Sequence, residues 1–330
     1  MAHKEEQRML QKLKFTTLAV FGLIVGAGWS TTESTFSQIA QRQTVAQNRP
    51  QVIATSTVIC GLTKEIAGNT IDLKCLVDAG SDPHVYNPKP DDRKAIDQAK
   101  LVLYNGYDFE PTLIRLIKAS SNKSAKIAVA EAAVTKPLEL EEDGKKVTDP
   151  HVWHDAKNGV AMAKVINNQL SKILPNQTSA YNAKTQQITS NLTKLDTWIK
   201  SEIATIPAKQ RKLVTTHDAL GYYSKAYGIP VVGALEGIST DEAPTPTRVA
   251  QLVREIKASG VPTIFAETTI NPKLIEAVAK EAKVKVSPRE LFADGLGEAG
   301  SDADTYQKMM IANTQTIVEG LGGKYTPFKP

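Results

Sequence analysis

The chain has 330 residues, of which 41% are apolar, enough to bury a full core and to build two domains at roughly 150 residues each. Its net charge of +5 is the balance of 40 basic and 35 acidic residues, without a basic arm or an aromatic-plus-arginine cluster. That distribution excludes nucleic acid as a partner.

The first residues read as an export signal, with Lys4, Arg8, Lys12 and Lys14 ahead of an apolar run at 18–25. The run falls short of the about 20 apolar residues of a membrane-spanning helix, so cleavage is expected, with an uncleaved anchor as the alternative. Gly28 and Ser30, or Thr44 and Ala46, offer two cleavage positions. No cysteine lies near the run, so the chain reads as a periplasmic protein and not as a lipoprotein. Gln, Ser and Thr dominate 31–50 and complete a signal and leader segment spanning 1–50.

From Gln51 short apolar runs alternate with helical patterns. Strands are expected at 52–56, 71–77, 101–104 and 126–130, with helices at 58–67, 91–99 and 111–119 between them. Cys60 and Cys75 are the only cysteines, an even count that permits a disulfide in an exported chain; inert buried thiols are the alternative. The charged stretch 138–146 predicts a solvated hairpin or loop. The segment between Pro175 and Pro207 follows, where Tyr181, Ile188, Leu192, Leu195, Trp198, Ile199, Ile203 and Ile206 keep mostly three- and four-residue spacing. That stripe predicts one helix of roughly 40 Å, long enough to cross two lobes. The second half repeats the alternation, with strands at 212–216, 230–234, 262–266 and 284–287 and helices at 219–227, 247–259, 272–280 and 305–320. The fold class is therefore α/β: two Rossmann-like lobes, each a parallel sheet flanked by helices, at 51–175 and 208–330, joined by one long rigid helix at 176–207.

Candidate chemistry begins with a repeated tripeptide, Asp82-Pro83-His84 and Asp149-Pro150-His151. Each proline fixes φ and removes a donor, so each imidazole rides a stiff loop suited to a metal ligand. The chain has five histidines; apart from His3 the remaining ones are His84, His151, His154 and His217. His217 follows the strand at 212–216 and opens the next helix, while Asp294 follows the strand at 284–287. In open α/β sheets ligands gather beyond the carboxyl ends of the strands, where these residues fall. Glu267, at the end of the strand 262–266, is a candidate to orient an imidazole, and His154 caps or flanks the helix beginning near Asp155. Gly295-Leu296-Gly297-Glu298-Ala299-Gly300 matches a dinucleotide fingerprint by letters only, because neither a strand directly before it nor a helix opening within it is expected. No His-Glu-x-x-His helix or Gly-x-Ser-x-Gly elbow is present. Three histidines and an aspartate fill a tetrahedral zinc site and leave no position for water, which favours carriage over catalysis. A zinc-dependent hydrolase with Glu267 as base is the enzymatic alternative, and an adhesin without tight metal is a third class.

Asp82-Pro83-His84-Val85-Tyr86, Asn105-Gly106 with Glu110, Asp149-Pro150-His151-Val152-Trp153, His217-Asp218-Ala219 with Gly221-Tyr222-Tyr223, Phe265-Ala266-Glu267 and Leu291-Phe292-Ala293-Asp294 together resemble the TroA-like (cluster A-I, zinc/manganese) solute-binding proteins of ABC importers. The likeness covers about residues 51–322. It implies that His84, His151, His217 and Asp294 ligate one Zn2+ or Mn2+ as transported cargo, that the helix ahead of Pro207 is a rigid connector, and that the partner is a membrane permease. No catalytic residue is implied, and a monomer is expected. His217 stands where the manganese-type branch often has glutamate, while the long histidine-rich loop of many zinc-specific members is missing, so zinc and manganese both stay open.

Overall fold

Val52, Ile53 and Ala54 are fully buried, and their alternation decides the first layer of the fold. In the computed structural model, which describes residues 49–142 and 144–330, they form β1 (Gln51–Ala54) at the centre of a parallel sheet of order β2-β1-β3-β4. The other strands are β2 (Asp72–Cys75), β3 (Leu101–Tyr104) and β4 (Ala125–Ala128). The export signal and leader, up to residue 48, lie outside the described residues. Val52, Ala54, Leu101 and Leu103 face one core together with α1 (Thr57–Ala67), whereas Ile53 and Val102 face a second core shared with α2 (Pro90–Gln98) and α3 (Pro111–Ala119). Period-two alternation thus buries both faces of a short sheet. Ser56 caps α1 by accepting the Ile59 N–H, and prolines open α2 and α3. Cys60 of α1 and Cys75 of β2 are disulfide-bonded, their Cα atoms 5.8 Å apart.

The strand expected at 126–130 stops at Ala128. Val129 and Ala130 turn into a short helix, α4 (Val129–Ala133), and the Ala130 N–H bonds to the Asn105 carbonyl. Beyond it, β5 (Glu139–Glu142) and β6 (Lys145–Thr148) make the antiparallel hairpin of the charged stretch. Two long antiparallel neighbours follow, α5 (Ala156–Ile173), capped by the Asp155 carboxylate, and α6 (Thr178–Ala204).

The second half contains β7 (Leu213–Thr215), α7 (Gly221–Tyr227), β8 (Val231–Ala234), α8 (Pro246–Ser259), β9 (Thr263–Ile264), α9 (Lys273–Ala282), β10 (Lys285–Val286) and α10 (Tyr306–Gly320). β7 pairs with β8 and β9 with β10, all parallel. A 3.0 Å bond from the Phe265 N–H to the Val214 carbonyl joins the pairs, so the spatial order β8-β7-β9-β10 repeats that of the first sheet. Val214 and Ile264 face the core under α8 and α9, while Leu213 and Phe265 face the opposite way.

That opposite face meets the first half. One apolar cluster includes Val52 and Leu101, Leu213 and Phe265, and the α6 stripe Tyr181, Ile188, Leu192, Leu195, Ile199, Ile203 with Ile206 beyond it. At 27 residues α6 is about 40 Å long, and it packs on α5 and α1 of the first half and on α10 and α7 of the second. Trp198 departs from the expected stripe. It is half-buried, donates its indole N–H to the Thr326 carbonyl, and packs on Tyr325 and Phe328 of the C-terminal tail.

Candidate metal centre

The two Asp-Pro-His loops share one local device. After β2 the chain turns at Gly80, whose φ is 75°, and Asp82 Oδ1 then accepts the His84 N–H at 2.9 Å. After β6, Asp149 Oδ1 accepts the His151 N–H, also at 2.9 Å, and the intervening proline fixes the bend between carboxylate and imidazole in both loops. In the second copy the same oxygen is 2.9 Å from His151 Nδ1, which leaves Nε2 as the free nitrogen of that ring. In the first copy Asp82 Oδ2 accepts the Thr240 hydroxyl at 2.6 Å, tying the His84 loop to the second half.

His217 leaves the end of β7. The expected helix start at 219 is delayed to Gly221, so His217 sits in a loop and not in the first turn of α7. Glu267, just beyond β9, accepts the N–H groups of Thr216 and His217 at 3.0 and 3.1 Å, and its Oε2 accepts a hydrogen bond from His217 Nδ1–H. Asp294 comes from the loop after β10, where Leu291 pairs with Glu267 across the sheet end. Its Oδ2 accepts the Thr269 hydroxyl at 3.0 Å.

These loops bring His84, His151, His217 and Asp294 together, each at most 4% exposed. Their donor atoms all lie within 4.8 Å of one another. His151 Nε2 is 3.3 Å from His84 Nε2 and 3.4 Å from His217 Nε2. Asp294 Oδ1 is 3.6, 3.3 and 3.2 Å from the Nε2 atoms of His84, His151 and His217. A tetrahedral zinc with bonds of about 2.0–2.1 Å requires donor separations of about 3.3–3.4 Å, a length that these five separations, between 3.2 and 3.6 Å, approach. Asp294 Oδ1 is buried with only imidazole nitrogens around it, a donor set whose chemistry suits a divalent transition metal.

Electrostatics agree with the geometry. Burial alone would lower the basicity of His151, but the Asp149 hydrogen bond and the nearby Asp294 raise its pKa above the ordinary value. Burial opposes protonation of His217 as well, and the Glu267 and Asp294 carboxylates outweigh it to raise the pKa far above that value. For Asp294 burial favours the neutral acid, yet the positive charge at His217 and the approach of the three imidazoles hold its pKa well below the usual carboxylate range. The site attracts positive charge, as protons or as a metal.

His154 is not part of this cluster. Fully buried, it donates Nε2–H to the Ala293 carbonyl at 2.7 Å, and burial followed by the charge at His151 pushes its pKa down to about 3, so the ring is neutral. It braces the loop that carries Asp294. Sequence reading gave Asp82 and Asp149 no role of their own, although a carboxylate two residues ahead of a loop N–H is a recognisable Asx turn. Thr269 and Phe109 carried no signal at all, because both meet the site only through the fold. The glycine-rich stretch 295–300 has no strand directly before it and no helix opening within it; its Leu296 N–H instead donates to Thr57 Oγ1 of α1 at 2.8 Å.

Residues 52–320 match the family described as "ZnuA: Zinc-uptake complex component A periplasmic". The chain is 36% identical over 279 residues to the manganese ABC transporter substrate-binding lipoprotein PsaA of Streptococcus mitis, covering 82% of this chain and 89% of that protein. It is 35% identical over 283 residues to the metal ABC transporter substrate-binding lipoprotein SloC of Streptococcus mutans, covering 84% and 91%. Among solved structures, the periplasmic zinc binding protein TroA from Treponema pallidum superposes with a TM-score of 0.79 at 34% identity, over 83% of this chain and 99% of that one.

Proposed function

This chain belongs to the ZnuA family of periplasmic zinc-uptake components, and we propose that it captures one divalent transition metal, zinc or manganese, and delivers it to the permease of an ABC importer. One observation carries the reading: four buried donor atoms, three imidazole nitrogens and one aspartate oxygen, all within 4.8 Å of one another. His84, His151, His217 and Asp294 are the proposed ligands, and Glu267 and His154 hold ligand-bearing loops from behind. Transport is served by such a closed site, since the cargo must be held without being used. The family is one of transporter substrate-binding proteins and not of enzymes, which removes the zinc-hydrolase alternative. A physical reason agrees: the Glu267 carboxylate is spent on His217 and on two backbone N–H groups and is not poised as a base toward a substrate.

The division into lobes at 51–175 and 208–330 with a connector at 176–207 is proposed on the repeated strand order and on α6 touching both halves. Export to the cell envelope fits the relatives, which are lipoproteins by name. Here we propose a periplasmic form that is not a lipoprotein, with an uncleaved anchor as the alternative, on the ground that the two cysteines are bonded to each other within the fold. We also propose that it acts as a monomer. Elemental analysis of protein purified without added metal is the test, with one equivalent expected in wild type and its loss in Asp294→Ala. A wild-type protein that retains no metal and takes up none on titration overturns the reading.

A further inference from the structure

The carboxylate behind His151 is itself fitted into a gap. Asp149 Oδ1 accepts the backbone N–H of His151 and lies equally close, 2.9 Å, to its Nδ1. The other oxygen, Oδ2, stands against Gly221, the first residue of α7. A methyl carbon placed on Gly221 would lie 2.6 Å from Oδ2, whereas its next neighbours, Asp149 Cγ and Leu138 Cδ1, would be 3.8 and 3.9 Å away. Carbon and oxygen in close contact stay about 3.3–3.6 Å apart, so that one oxygen is the obstacle to a side chain at 221. Backbone conformation is no obstacle, because Gly221 is not among the glycines with positive φ and alanine is the better helix former.

Asp149 has little room to yield. It is fully buried, and a carboxylate is a rigid plane, so Oδ2 cannot swing away without carrying Oδ1 off His151. Its backbone is fixed as well: the Asp149 N–H donates to the Leu138 carbonyl at 2.9 Å, and the Leu138 N–H donates to the Tyr222 hydroxyl at the same distance. The first two residues of α7 thus grip the base of the second Asp-Pro-His loop, from a helix that starts just after the ligand His217. We propose that Gly221 is a positioning residue for metal capture: the side chain it lacks leaves the space in which Asp149 orients His151. This deepens the metal-capture reading and rests on it.

The test uses the full chain with Gly221→Ala, Asp149→Ala and the two combined, titrated with Zn2+ against a chromophoric chelator. NMR of the zinc-loaded protein follows the Nδ1 proton of His151, which lies far downfield when a carboxylate accepts it. Gly221→Ala should lose about tenfold in zinc affinity, the lower end of the range for groups that orient a ligand, and should move that proton upfield. Added to Asp149→Ala, the same change should cost no more than roughly twofold further, because the oxygen it displaces is already gone. Wild-type affinity with an unmoved resonance in Gly221→Ala overturns the inference. So does a loss that adds in full to that of Asp149→Ala, the pattern of a glycine needed only for packing α7. If the single variant does not fold, the double variant decides: folding regained once Asp149 is truncated supports the steric pairing, and failure of the double variant as well overturns it. Failure of wild type to bind zinc would instead sink the capture reading.

Discussion

An imidazole whose Nδ1 proton is held by a carboxylate can present only Nε2 to a metal, and the carboxylate also makes that nitrogen more basic. Asp149 does this for His151 while fixing its backbone through the same oxygen. Asp149→Ala should therefore weaken zinc binding by about 10–100-fold, read by competition with a chromophoric chelator. Loss of a proposed ligand, as in His217→Ala, should cost more, and His154→Ala less. Protons and metal compete for the same nitrogens, which fixes the sign of the pH dependence. His151 and His217 have folded pKa values raised above 6.5, so in metal-free protein they contribute stability that is fully present below that pH and is lost as pH rises through their folded values. Asp294, with a lowered value, contributes above 3.8 and gives way only in stronger acid. In chelator, thermal midpoints should fall as pH rises through the imidazole window, whereas zinc affinity should rise over the same interval because binding expels protons. A metal-free protein that gains stability on going alkaline would contradict the charge assignment. The four clustered residues were readable from sequence because histidine is scarce here and two copies follow Asp-Pro. Thr269 and Phe109 were not, since a hydroxyl 25 positions from Asp294 and a phenyl ring set against His84 and His151 leave no local pattern.

Elements were legible where their burial is periodic. The α6 stripe is written in the chain because it buries one face, and β1 and β3 because their continuous apolar runs bury both. Legibility failed where a distant partner decides. Val129 and Ala130 look like strand continuation, yet the Asn105 carbonyl draws the chain into α4. Trp198 falls near the apolar stripe by spacing but is claimed by the tail at Thr326 and Phe328. β9 and β10 are two residues each, too short for a propensity signal to mark their ends. The disulfide lies at the same scale, since it fastens α1 to β2 and closes a segment of 15 residues. Converting both Cys60 and Cys75 to serine should lower unfolding stability by about 3 kcal/mol in the chain-entropy account, measured by urea denaturation at fixed metal content. An unchanged midpoint and slope would mean that the closed segment already has the same restriction in the unfolded chain.

At the scale of the whole molecule the central question is whether loading moves the two halves. The main apolar cluster runs from Val52 and Leu103 through the α6 stripe to Leu213, Phe265 and the buried face of α10, so the halves share one core and are not merely tethered. Swinging them apart would expose part of it, and about 500 Å² of apolar surface costs on the order of 12 kcal/mol. That is comparable with the entire stability of an ordinary domain, about 5–15 kcal/mol. The loops around the ligands face no such penalty. The His84 loop is tied across the site by the Asp82 carboxylate on Thr240, and the Asp294 loop by Leu296 on Thr57 and by His154 on Ala293, hydrogen bonds worth about 0.5–1.5 kcal/mol each. Loading should therefore leave the radius of gyration from small-angle scattering unchanged within error, while hydrogen exchange slows in the loops bearing His84, His217 and Asp294 and not in α6. Marked compaction on adding zinc to chelated protein would show that the shared core opens, and the connector would then have to be a hinge.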